Sequence, residues 1–151
     1  MFAIPAPLNK PAGKWCEHCA IGQGCTIYDD RPEVCVDFAC LWLESQSKGD
    51  AKLSIELRPD KSKVVISPTT NPRVLSFMTM PGYETAWRKD GKLLELIKRF
   101  VNNGMACVMG PPAATLRIMV MKNPNTGKIT EKEVRMTAPD ASGMQWNLTE
   151  V

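Results

Sequence analysis

Five of the chain's six cysteines, together with its single histidine, fall inside one run, WCEHCAIGQGCTIYDDRPEVCVDFAC, residues 15–40. The spacing is Cys16-x2-Cys19-x5-Cys25-x9-Cys35-x4-Cys40, and it restricts the fold more than any other feature. Thiols this dense are joined in disulfides, used as redox centres, or gathered on a metal. The start of the chain, MFAIPAPLNKPAGK, has no apolar run of signal length, and no later stretch is long enough to span a bilayer. The expectation is therefore a cytoplasmic protein with no membrane partner, in a compartment where thiols stay reduced. That disfavours disulfides and leaves a metal as the first reading.

Converging thiolates repel one another unless a cation lies between them, and thiolate donors suit zinc or an iron–sulfur cluster. The C-x-x-C turn folds two sulfurs toward one point, with Gly22 and Gly24 letting the chain return at Cys25. Asp30, Pro32 and Glu33 read as a helix start, a capping box with proline in the first turn. Val34, Phe38 and Leu41 then give an apolar face, so the pattern predicts a helix over about 31–46. In a continuous helix Cys35 and Cys40 are about 500° apart around the axis, which leaves them on faces about 140° apart. Cys35, in the first turn at the positive end of the helix, is then the fourth ligand after Cys16, Cys19 and Cys25. Cys40 is held in reserve. A compact four-thiolate site with no redox partner motif reads as structural zinc, with iron or an Fe–S cluster as the alternative cofactor.

The segment from Cys25 to Cys40, CTIYDDRPEVCVDFAC, resembles the C-x-I-Y-x-x-R-P-x-x-C-x-x-F signature of the YkgJ-like cysteine-cluster proteins, a family of zinc- or iron-chelating domains. Ile27, Tyr28, Arg31, Pro32, Cys35 and Phe38 occupy the signature positions, and the likeness covers about residues 15–43. The resemblance implies metal chelation by Cys25 and Cys35 with upstream cysteines. Fuller members carry a C-x-x-C-x-x-C-C cluster, and here only Cys16 and Cys19 precede the signature.

Each neighbouring feature also has a plain structural reading. His18, inside the C-x-x-C turn, points outward, its alternative use being a fourth ligand with Cys35 displaced. Tyr28 packs on Phe38 or Trp42, and Arg31 bonds loop carbonyls or offsets the thiolate charge. Cys107 is a strand-buried thiol, the methionines at 105, 109, 119 and 121 fill the core, and Arg88, Lys89, Lys92, Lys98 and Arg99 form a solvated helix face. GPPAAT (110–115) lacks the glycine spacing of a phosphate loop.

The remainder reads as one domain, with a Cys-rich lobe over 1–47 and an α+β body over 48–151. Residues 1–14 form an extended arm, and 48–62 a polar loop or a partly ordered connection. Strands are expected at 63–70, 73–80, 105–110, 115–123 and, as the last, 128–137. A helix with Leu93, Leu94, Ile97, Phe100 and Val101 inward stops at Asn102-Asn103-Gly104. Trp146 docks the tail. The fold class is α+β: a metal-binding lobe on an antiparallel sheet with one main helix. Hydrophobic residues make up 44% and charged ones 23%, ordinary for a globular chain. The net charge of +3 is small, and Trp15, Glu17, Asp29 and Asp30 give the lobe no basic face, which argues against nucleic acid. No catalytic triad, H-E-x-x-H or carboxylate pair is present, so the expected role is accessory, or interaction with a protein partner. An Fe–S redox protein or enzyme is the alternative.

Overall fold

The computed structural model describes residues 4, 6–11, 14–20, 23–47, 49, 52–69, 71–136 and 148–151. The class is α+β. Strand β1 (Cys19–Ala20) and strand β2 (Gly24–Cys25) make a two-stranded hairpin, followed by helices α1 (Glu33–Val36) and α2 (Leu41–Gln46). A single 3-10 turn at Ile55–Leu57 and helix α3 (Pro59–Ser62) lead into the main sheet. Its strands are β3 (Val64–Pro68), β4 (Val74–Thr79), β5 (Ala106–Gly110), β6 (Leu116–Lys122), β7 (Ile129–Met136) and β8 (Leu148–Glu150), in that spatial order. The main helix, α4 (Gly91–Asn102), connects β4 to β5. Among the described residues no helix is long and apolar enough to cross a membrane.

Alternation builds the sheet. In β4 every second residue is buried, and Leu75 and Phe77 share one face with Val64 and Ile66 of β3, Cys107 and Met109 of β5, and Val120 of β6. Leu93, Leu96, Ile97 and Val101 of α4 close over that face and complete the core. Asp90 caps the helix, its Oδ1 accepting from the amides of Lys92 and Leu93 at 2.9 and 3.1 Å. Asn103 and Gly104 end it as expected. Pro68, which cannot donate to a ladder, closes β3 at the sheet edge.

Three expectations need correction. The sheet is mixed, not antiparallel: β4 and β5 are parallel, because α4 carries the chain back to the end at which β4 began. β7 is not the last strand, since β8 pairs with it from Val134 to Met136; Trp146 itself lies outside the described residues. The start of the chain is not simply extended, for Ile4 and Lys10 exchange two backbone hydrogen bonds of 2.8 Å. Of the two readings of 48–62, the partly ordered connection agrees with residues 52–62, where Leu57 is buried in the core and Leu53 packs against it.

Arg117 stands out on the sheet face opposite α4. It is 5% exposed, and its guanidinium donates to the carbonyls of Gly110, Pro112 and Ala114 at 3.3, 3.1 and 3.3 Å. Burial pulls its pKa below the usual arginine value. The three carbonyls stand in for a carboxylate, and they fix the β5–β6 loop.

Cys107, fully buried beneath α4, is the strand thiol its apolar neighbours imply. Burial pushes its pKa from 9.0 up to about 12. A folded pKa above the unfolded one means that its contribution to stability is intact below pH 9 and is lost as pH rises toward 12. By pH 10 the loss is on the order of 1 kcal/mol. Urea unfolding between pH 8 and pH 10 is expected to show that much less decline in Cys107→Ala than in the parent chain. An equal decline in both would exclude Cys107 as the cause.

Candidate metal centre

The amide of Cys19 donates to the carbonyl of Cys16 at 3.0 Å, so the C-x-x-C stretch is a four-residue turn. The chain then runs out through β1 and returns through β2, with Gln23 N–H on the Ala20 carbonyl at 2.9 Å. Gly24 has φ +119°, a backbone that disfavours any side chain and allows the return. Cys25 thereby comes to lie directly opposite Cys19. The amide of Thr26 donates to the His18 carbonyl at 2.8 Å, one step outside that pair. In an antiparallel ladder this makes Cys19 and Cys25 a non-hydrogen-bonded pair, the type whose side chains stand closer together.

The hairpin therefore brings Cys16, Cys19 and Cys25 into one small unit of backbone. All six cysteines are free thiols; Cys25 is exposed and Cys16, Cys19 and Cys35 are half-buried. Lys10 lies near enough to Cys16 to feel its sulfur: burial lowers the Lys10 pKa and Cys16 partly offsets this. Among the described residues, no three Cys, His, Asp or Glu side chains stand close enough together to hold a metal ion. Thiols are donors of the kind that suit a thiophilic cation.

Cys35 and Cys40 lie beyond the hairpin, and the helix expected over 31–46 is two pieces. Helix α1 follows Pro32, without a side-chain cap from Asp30, and stops at Asp37, whose amide donates to Glu33 at 2.8 Å. Cys40 is extended at ψ 161° and begins α2. The break turns Leu41 and Trp42 onto the core, and Trp42 Nε1 donates to the Ser54 carbonyl at 3.1 Å. Val34, Val36 and Phe38 stay exposed, so their spacing marked no buried helix face. With the helix broken, the 140° argument that ranked Cys35 over Cys40 lapses, and a one-turn α1 supplies little dipole to favour a thiolate. What separates the two is burial: Cys40 is 8% exposed, at the junction with the body.

The neighbours have simple roles. Tyr28 is 60% exposed, with the Arg31 guanidinium stacked 3.8 Å from its ring centre. Arg31 also donates to the Tyr28 carbonyl, in keeping with its expected bond to the loop. His18 Nε2 is 3.7 Å from a carboxylate oxygen of Glu17. The basic residues of the α4 region are solvated, with Arg88 forming a two-point ion pair with Glu131. An open cavity of about 540 Å³ at the start of α4, lined by Glu56, Lys61, Asp90, Lys92 and Glu95, contains no cysteine.

No family model, curated protein or solved structure matches this chain. The likeness to the YkgJ-like cluster thus rests on the residues of the signature itself.

Proposed function

We propose that this is a metal-binding protein of the reducing cytoplasm, holding zinc through Cys16, Cys19, Cys25 and Cys35 and serving an accessory or interaction role. The observation that carries the reading is the hairpin, which sets a C-x-x-C turn against a third cysteine in direct cross-strand register. That is the arrangement a tetrahedral thiolate site uses, with the fourth ligand supplied by a separate segment. The six-residue exposed apolar set in the lobe (Trp15, Tyr28, Val34, Val36, Phe38, Leu43) agrees with a lobe that gains order when a metal ties its segments together.

Anaerobic purification followed by elemental analysis and a visible spectrum tests this directly. Stoichiometric zinc in a colourless protein is expected, with a sharply lower Tm after removal by chelator. A brown protein with broad visible absorption would replace zinc by an Fe–S cluster. A chain with no stoichiometric metal, or with an unchanged Tm after verified loss, would end the structural-zinc reading.

A further inference from the structure

The register of the hairpin has a chemical consequence apart from metal binding. A directly opposed, non-hydrogen-bonded pair has Cα atoms about 4.5 Å apart, and disulfides span Cα separations of about 4.4–6.8 Å. Cys19 and Cys25 form such a pair, on the same face of the hairpin. Cys25 is exposed and Cys19 half-buried, so an oxidant in solution reaches Cys25 first.

We propose that Cys19 and Cys25 are a reversible two-electron redox couple, closed by peroxide into a cross-strand disulfide. The Cys25 thiolate attacks one oxygen of hydrogen peroxide, the O–O bond breaks, and Cys25 becomes a sulfenic acid as hydroxide leaves. The Cys19 sulfur then attacks Cys25, the S–O bond breaks, and a second hydroxide leaves. With the two thiol protons the hydroxides become water, so two thiols and one peroxide give one disulfide and two waters. Transient disulfides of this kind are the sort a reducing compartment permits. The pairing rests on register alone. Its regulatory meaning rests on the metal reading, because closure removes two of the four ligands and releases the ion.

The test uses the full chain, stripped of metal, treated with one equivalent of hydrogen peroxide, and blocked with a first alkylating reagent. Reduction and a second reagent then mark only the thiols that had been bonded, and fragment mass spectrometry locates the marks. Marks on Cys19 and Cys25 are expected, unchanged in Cys35→Ser and absent in Cys25→Ser. Marks on Cys16 with Cys19, on scattered pairs, or on none would overturn the couple. A parallel sample loaded with zinc, followed by a chromophoric indicator, is expected to release zinc in step with the marks. Zinc kept in the closed form would overturn the release. Failure to load any zinc would instead count against the metal reading, while the marks still decide the couple.

Discussion

Phe77→Ala is expected to lose about 3–5 kcal/mol of stability, a large share of the roughly 5–15 kcal/mol that a domain of this size possesses. Phe77 is 1% exposed and, with Trp87, is among the largest side chains in the core of the described residues. Its strand neighbours are Ile66 on one side and Met109 on the other, in direct register, and α4 lies above. Rigid strands on both flanks hinder collapse into the vacated space, so the cost includes the cavity as well as the lost transfer energy. Urea unfolding should show a lower midpoint with an unchanged slope. Met78→Ala, one residue along on the opposite and less buried face, is the control and should cost distinctly less. Equal losses at both positions would show that the helix-covered face is not the main core.

The parts of this fold that were readable in the sequence are those whose periodicity also records burial. VLSFMT and LRIMVMK alternate as strands, and LLELIKRFV presents a helical stripe, so β4, β6 and α4 could be placed before any coordinates. Periodicity carries no direction, however, and the parallel β4–β5 pair follows only once α4 is seen to act as a crossover. The run Val34, Phe38, Leu41 misled for a different reason. It has helical spacing, but Val34 and Phe38 face solvent and only Leu41 reaches the core, through a chain that bends at residues 37–40. The polar segment before β3 hid its two anchors, Leu53 and Leu57, because isolated leucines in charged surroundings make no pattern. Arg117 was passed over because its partners are main-chain carbonyls, which any sequence supplies. The one available sign was a charged residue within an apolar strand. At the candidate centre the C-x-x-C turn was legible from spacing. The facing of Cys19 and Cys25 was not, because it depends on a hairpin whose strands are two residues each.

In the proposed zinc site the choice of fourth ligand turns on the broken helix, and the expected result is a sharp asymmetry between two serine variants. Cys35→Ser should weaken zinc binding by at least about 100-fold, the upper end of what is lost when only a supporting partner of a ligand is removed. Cys40→Ser should leave affinity within a few-fold of the parent chain while lowering stability. The two stand five positions apart, Cys35 on one short helix and Cys40 at the extended start of the next, so geometry around an axis no longer decides between them. Burial does. Cys40 is buried beside Leu41 and Trp42, where the lobe joins the core, and turning its sulfur toward the hairpin would uncover that junction. Cys35 is half-buried on a one-turn helix followed by the bend, outside the core cluster. Competition with a chromophoric chelator gives the two affinities, and thermal melting of the metal-free variants gives the two stabilities. The reverse pattern, with affinity lost in Cys40→Ser and kept in Cys35→Ser, would make Cys40 the ligand and require the Leu41–Trp42 junction to open on metal binding. Unchanged affinity in both would confine the metal to the hairpin cysteines, with a fourth position open to solvent or substrate.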